Sequence, residues 1–195
     1  MALIMGIDTG GTYTDGVIVD PTCKRVLCKA KTFTTKHDLM TGISRCMDQL
    51  NDRDVKKVGL VCLSTTLATN AIVEGRGGKA GLLIIGKEPE DKLPVESWQL
   101  LRGRLDIKGN VKEDLKEDEI YEAIENLRDK VDAVAISGYA SVRNSTHELK
   151  VKQMVHEQLD IPVVCAHELT SSLGFHHRTV TAALNAKLIP IISEL

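Results

Sequence analysis

The stretch Gly6-Ile7-Asp8-Thr9-Gly10-Gly11-Thr12-Tyr13-Thr14-Asp15 decides how the rest of the chain is read. It leaves an apolar run at residues 3–7, turns on two glycines, and enters Gly16-Val17-Ile18-Val19-Asp20. Two glycines between strand-like runs have an ordinary explanation, a hairpin turn that needs positive φ. The surrounding two carboxylates and three threonines point further. Gly10 and Gly11 let backbone N–H groups approach a phosphate with no Cβ in the way. The hydroxyls of Thr12 and Thr14 can donate to phosphate oxygens. Asp8, at a strand end, suits a hydrated Mg²⁺ better than the anion, which a bare carboxylate would repel. The pattern is neither a Walker A sequence nor GxGxxG.

Moving outward, residues 25–33 follow a Pro21-Thr22 turn and place Val26, Cys28, Ala30 and Thr32 on one face. Three strands joined this tightly read as an antiparallel meander, because parallel crossovers need longer connections. Leu39, Ile43, Cys46, Met47 and Leu50 then share one helical face, with a cap near Lys36-His37-Asp38. Residues 58–63 read as a buried strand, 65–73 as a helix ending at Glu74-Gly75, and 81–85 as another buried strand. Periodicity is lost over residues 87–114, which hold Pro89, Pro94 and Trp98; such a stretch reads as a functional loop or an insertion. Beyond it, Ile120, Ile124, Leu127 and Val131 mark a helix, residues 133–137 a strand, and Val151, Met154, Val155 and Leu159 a second helix. A strand at 162–165 precedes a last helix with Val180, Leu184, Leu188, Ile191 and Leu195 on one stripe. An antiparallel β-β-β start followed by α-β units predicts an α/β fold, with a mixed sheet and helices on both faces.

A second constellation, Leu63-Ser64-Thr65-Thr66-Leu67-Ala68-Thr69-Asn70, lies where a strand gives way to a helix. Ser64 or Thr65 could simply cap that helix. Beside a phosphate turn, the same helix start attracts an anion, and this reading is preferred here. Arg102-Gly103-Arg104-Leu105-Asp106 reads equally as a solvated loop or an anion-binding segment. His176-His177-Arg178 is a poor metal site, because adjacent residues point apart on a helix and no third ligand has useful spacing. The acidic run at 112–125 reads as a solvated helix face.

Bulk properties narrow the field. The chain has 195 residues with 43% apolar and 27% charged residues. That is ordinary globular usage and enough to bury roughly 70% of the extended surface without disulfide or metal staples. A formal charge of -2 argues against a general nucleic-acid or membrane-surface binder. The five cysteines (Cys23, Cys28, Cys46, Cys62, Cys165) contain no CxxC pair, and four lie in apolar or strand-like contexts, so they read as reduced core thiols. The first residues lack a basic start, and no run approaches the ~20 apolar residues of a membrane span. A cytoplasmic protein is expected.

Together, the segments 6–15, Ser64-Thr65-Thr66-Leu67-Ala68-Thr69-Asn70-Ala71, Arg102-Gly103-Arg104-Leu105-Asp106 and residues 174–186 resemble the hydantoinase A / 5-oxoprolinase family. The matches span nearly the whole chain in the family's order; the first alone would implicate only the wider sugar kinase, Hsp70 and actin superfamily. The resemblance implies a ribonuclease H-like (actin-like ATPase) domain over residues 1–195, with an irregular insertion near 87–114. It implies ATP and Mg²⁺ as cofactors and ATP-dependent opening of a hydantoin, N-methylhydantoin or 5-oxoproline. Small-molecule kinases and ATP-dependent ketone carboxylases are the alternatives on this fold, and a scaffold subunit is a further one. It also implies Asp8 and Asp15 as catalytic carboxylates, with Asp8 toward the metal. Gly10, Gly11, Thr12 and Thr14 would hold phosphate, with Thr65, Thr66 and Asn70 lining the facing wall. Leu63-Ser64 stands where the family commonly has His-Gly. The implied partners are a carboxy-terminal domain of the same, longer two-lobed protein and a hydantoinase B-like subunit.

Overall fold

The computed structural model describes residues 2–35, 38–75 and 77–193. The chain divides into two compact units, residues 1–75 and 76–194.

The first unit opens with β1 (Leu3–Thr9), β2 (Tyr13–Asp20) and β3 (Arg25–Phe33), followed by α1 (Leu39–Asp48), α2 (Asp52–Val55), β4 (Val58–Thr65) and α3 (Leu67–Val73). The sheet order is β3-β2-β1-β4. The expected meander is present, β1 with β2 and β2 with β3 antiparallel, and β4 joins β1 in parallel. Alternation along β1 sends Leu3, Met5 and Ile7 to one face, where they meet Ile18 and Leu50 under the helices. Asp38 caps α1, its carboxylate accepting from the Thr41 amide at 3.3 Å. Lys36 and His37, the other residues of the expected cap, lie outside the described residues.

The second unit holds β5 (Ala80–Ile85), β6 (Ser97–Leu101), β7 (Arg104–Leu105), β8 (Val111–Glu113), α4 (Glu117–Leu127), β9 (Ala133–Gly138), α5 (Thr146–Gln158), β10 (Val163–Cys165), α6 (Ala166–Leu169) and α7 (Phe175–Ser193). Its main sheet, β10-β9-β5-β6, is parallel throughout. Every residue of β5 and β9 is buried, as befits central parallel strands covered on both faces. Leu83, Ile85, Val134 and Ile136 meet α4 and α5 through Ile120, Ile124, Leu127, Val151 and Val155. The opposite face, Leu82, Ile84, Ala133 and Ala135, meets Phe175, Ala182, Ala183 and Ala186 of α7.

Four expectations change. The α-β units build a second sheet instead of extending the first. Residues 87–114 are not structureless: β6 forms an edge strand paired with β5, and β7 with β8 forms a small hairpin. β4 is not buried; Leu60, Val61 and Leu63 are all more than half exposed. An apolar run tells that a strand wants cover, whereas the topology of the first unit decides whether that unit supplies it. Finally, α7 buries its alanine stripe in place of Val180, Leu184, Leu188 and Ile191, which are only partly covered, because small side chains allow the close approach of a helix to the sheet centre; Leu195 lies outside the described residues. The thiols divide likewise: Cys46 and Cys165 are buried, Cys28 is intermediate, and Cys23 and Cys62 are exposed.

Candidate functional site

The first unit gathers every residue expected to bind or act. The ladder sets Asp8 opposite Asp15 and opposite Ser64, with Lys31 opposite Asp15. Directly opposed residues share a face, so Lys31, Asp15, Asp8 and Ser64 form one polar row across the sheet. One residue further along, Thr32, Thr14, Thr9 and Thr65 form a matching row on the other face. The motif Asp-Thr-Gly-Gly-Thr-Tyr-Thr-Asp therefore separates its carboxylates from Thr9 and Thr14 by strand alternation alone.

The carboxylates are held differently. Asp8 is exposed and its Oδ1 accepts from Ser64 Oγ at 2.5 Å. Asp15 receives Lys31 Nζ on both oxygens at 2.8 Å, and the ammonium also sits 4.7 Å from the centre of the Tyr13 ring. Ser64 stands where sequence comparison expected glycine, and its hydroxyl fixes Asp8.

Between the rows, Gly10 donates its amide to the Tyr13 carbonyl at 2.9 Å, closing the turn. The amides of Gly11 and Thr12 make no hydrogen bond among the described residues. Neither glycine needs positive φ; what each needs is room. A Cβ on Gly11 would lie 2.9 Å from Asn70 Nδ2, and one on Gly10 3.1 Å from the Tyr13 carbonyl oxygen. The Thr65 hydroxyl donates to the Thr9 carbonyl at 2.9 Å, and Asn70 Nδ2 reaches Thr66 Oγ1 at 3.4 Å. The structure thus brings Thr65, Thr66 and Asn70 against the glycine turn. Thr66 occupies the cap position of α3 without a side-chain capping bond.

Thr14 is placed elsewhere. It is fully buried, with its hydroxyl 3.0 Å from Thr34 Oγ1, and the Thr34 hydroxyl in turn donates to the Gly10 carbonyl at 2.8 Å. Thr14 supports the turn from beneath, while Thr12 is exposed at its tip.

The remaining motifs resolve as supports of the second unit. Asp106 accepts from the amides of Lys108 and Asn110 and from the Asn110 side chain, all at 2.9 Å. These bonds, led by the Asn110 amide group, hold its carboxyl well below the usual range. Arg102 donates its backbone amide to Glu119 at 3.2 Å. Arg178 is buried, its guanidinium donating to the carbonyls of Ser172 at 2.8 Å and Gly138 at 3.1 Å.

Sequence reading missed a buried polar cluster in that unit. Glu148 is fully buried; its Oε1 accepts from the Gly138 amide at 2.7 Å, and its Oε2 accepts from the His167 amide at 3.1 Å and meets His167 Nδ1 at 2.5 Å. Cys165 lies alongside, its thiol pushed up to about 12 by burial. A signal was available: Glu148 precedes Val151 by three positions and Val155 by seven, on the inward stripe of α5.

A mixed four-stranded sheet opening with an antiparallel meander and a glycine turn, joined to a parallel sheet with helices on both faces, defines an α/β protein of the ribonuclease H-like, actin-like ATPase type. The same backbone arrangement occurs in the nucleotide-free structure of acetone carboxylase, which superposes with a TM-score of 0.82 at 20% identity over 97% of this chain and 32% of that one. Residues 4–159 match the Hydantoinase/oxoprolinase N-terminal region, and the chain belongs to that family. It is 31% identical to the caprolactamase subunit alpha of Pseudomonas jessenii over 97% of its own length and 32% of that subunit's. The crystal structure of the ATP-dependent caprolactamase from that organism superposes with a TM-score of 0.75 at 29% identity, over 98% of this chain and 32% of that one. The acetophenone carboxylase gamma subunit of Aromatoleum aromaticum is 27% identical over 93% of this chain and 30% of the subunit. The chain thus spans about a third of the length of these relatives. No described helix is long and apolar enough to cross a membrane.

Proposed function

We propose that this chain is the phosphate-gripping part of an ATP-dependent enzyme that opens a cyclic amide or imide of the hydantoin, N-methylhydantoin or 5-oxoproline type. The observation that carries the reading is the glycine turn itself. Two amides, on Gly11 and Thr12, have no partner among the described residues, beside an exposed carboxylate, and the turn is faced by Thr65, Thr66 and Asn70. Free amides over unhindered glycine form a nest for an oxyanion. Thr12 would add a hydroxyl donor, and Thr14 would act from below through Thr34.

Asp8 fits a Mg²⁺ that keeps most of its water. It is a single exposed carboxylate whose Oδ1 is oriented by Ser64, and such sites use one or two carboxylates instead of a closed cage. When bound, the ion would neutralise phosphate charge. Asp15, opposite Asp8, is the second carboxylate of the row, with Lys31 setting its orientation. In the proposed reaction the amide oxygen attacks the terminal phosphorus of ATP and ADP departs. Water then adds to the activated carbon and the ring nitrogen leaves with a proton, giving an acyl phosphate, which a second water hydrolyses to the carboxylate and phosphate. The chain's share is positioning and charge stabilisation, which carry most of phosphoryl-transfer catalysis.

Residues 1–195 would act as one amino-terminal domain with an insertion near 87–114, within a longer, two-lobed, cytoplasmic protein. Support comes from β4, an edge strand with a free hydrogen-bonding side and exposed Leu60, Val61 and Leu63; such an edge calls for cover. We assign that cover to a carboxy-terminal domain of the same protein, with a hydantoinase B-like subunit as a further partner. ATP-dependent carboxylation of a ketone is the second reading, favoured by the similarity to the acetophenone carboxylase subunit.

The test is Mg·ATP turnover by the full-length protein against a panel of hydantoins, lactams and 5-oxoproline, with Asp8→Ala as control. Stimulation by a cyclic amide, reduced about 100-fold or more by Asp8→Ala, supports the proposal. Stimulation only by ketone with bicarbonate transfers it to carboxylation. Absence of ATP binding would refute both.

A further inference from the structure

We infer that the second unit carries a separate binding site for a small oxyanion, at the carboxyl ends of β9 and β10, with Arg143, Ser141 and the His167 imidazole as its recognition groups. A cavity of about 170 Å³ opens there, lined by Ser141, Val142, Arg143, Ser145, His167 and Ser171. Carboxyl ends of parallel strands are where open α/β sheets place their ligands. The volume is far below the several hundred cubic ångströms of organic-ligand pockets, which limits the occupant to a group of phosphate or short-carboxylate size.

The lining is built for an anion. Arg143 brings a fork of donors suited to a planar or tetrahedral oxyanion. Three serines add hydroxyls. Ser141 is almost entirely buried, and its Oγ has no hydrogen-bond partner among the described residues. A hydroxyl is rarely left so in a folded interior, and here it is available to a group entering the cavity. The backbone at this lip is unusual too: Ala140, immediately before Ser141, has a φ of 57° without being glycine, a conformation that must be held by its surroundings.

His167 supplies the directional element. Glu148 is an acceptor on both oxygens, since backbone amides donate to each of them. The imidazole therefore turns its Nδ1–H toward Glu148, at 2.5 Å. A fixed Nδ1–H leaves Nε2 as the nitrogen that can meet a ligand, and the ring, 18% exposed, borders the cavity. An orienting carboxylate behind an imidazole selects its tautomer and direction. Nε2 can then accept a hydrogen bond from a protonated oxyanion such as hydrogen phosphate. The Glu148 carboxylate, the His167 imidazole and the Cys165 thiol could instead be read as a metal site. The occupied Nδ1 argues against that, because a ring nitrogen that carries its proton toward Glu148 has no lone pair to give a metal.

The experiment is nuclear magnetic resonance of the isotope-labelled chain, titrated with inorganic phosphate or with acetate at constant ionic strength set by chloride. Saturable shifts of the His167 ring and of the backbone at residues 140–145 are expected, with phosphate and acetate as separate arms that say which oxyanion is preferred. Arg143→Gln, an exposed position, should weaken binding about tenfold or more. His167→Asn places an amide nitrogen where Nδ1 was, preserving the bond to Glu148 while removing Nε2; it should fold normally and lose affinity similarly. Asp8→Ala should leave the titration unchanged, which separates this site from the glycine turn and from the proposal made for it. Shifts that do not saturate, or that persist undiminished in Arg143→Gln, would overturn the assignment and leave Glu148–His167 as a structural pin.

Discussion

Replacing Glu148 by Gln tests how strongly the second unit depends on one buried acceptor. The carboxylate takes Gly138 N–H on one oxygen and two His167 donors on the other, at 2.7, 3.1 and 2.5 Å. These bonds tie α5 to the ends of β9 and β10. A glutamine keeps the shape, but its amide nitrogen must replace one oxygen and then faces a donor. The cheaper orientation sacrifices the Gly138 bond and leaves that amide buried against an N–H group. One charge-assisted bond lost, with its partner stranded in the interior, costs about 2–4 kcal/mol. Trp98 is the only tryptophan and lies on β6, so its fluorescence reports the second unit. With a urea slope of about 2 kcal/mol/M, the midpoint should fall by about 1–2 M. Glu168→Gln is the control: it breaks the half-exposed pair with Lys152 at 2.7 Å and should cost about 1 kcal/mol or less. Equal midpoints for Glu148→Gln and the parent chain, at unchanged slope, would refute the reasoning.

Other outcomes follow from the same structure. His147 is buried with neither ring nitrogen hydrogen-bonded among the described residues, and burial holds its pKa below the ordinary 6.5, against the pull of Asp114. The unfolded chain then takes up the proton first, so this contribution is present above pH 6.5 and is lost as pH falls toward the depressed value. Urea midpoints between pH 5 and 7.5 should drop on the acid side, and His147→Leu should flatten the drop. In thiol labelling at neutral pH, Cys23 and Cys62 should react at once, whereas Cys46 and Cys165 should wait for unfolding; fast labelling of Cys165 would contradict its burial. Val61→Lys places a charge on the exposed β4 edge and should reduce self-association of the chain in light scattering, with its thermal midpoint little changed.

Much of this protein was legible along the chain. The antiparallel start followed from the shortness of the connections between residues 9 and 25, which exclude crossovers. The inward faces of α4 and α5 followed from Ile120, Ile124, Leu127, Val151 and Val155 at helical spacing. Thr65, Thr66 and Asn70 as the facing wall of the glycine turn came from the family resemblance, whereas the turn itself, with Asp8 beside it, was readable because a local motif carries its own backbone requirements. Those are properties of neighbours in sequence, and periodicity reports them directly.

Tertiary structure decided the rest. Strand alternation put Thr14 beneath the turn and Asp15 into an ion pair with Lys31, a distinction invisible in a list of polar residues. Only the sheet topology revealed that β4 is an exposed edge and that β6 rescues part of the irregular stretch, since pairing depends on partners dozens of residues away. The bond from Glu148 to His167 joins positions nineteen apart, and nothing in either segment announces the other. Hydrophobic spacing fixes which side of an element turns inward; which groups then meet inside is set by the packing of whole elements, where each buried polar atom must find its partner in three dimensions.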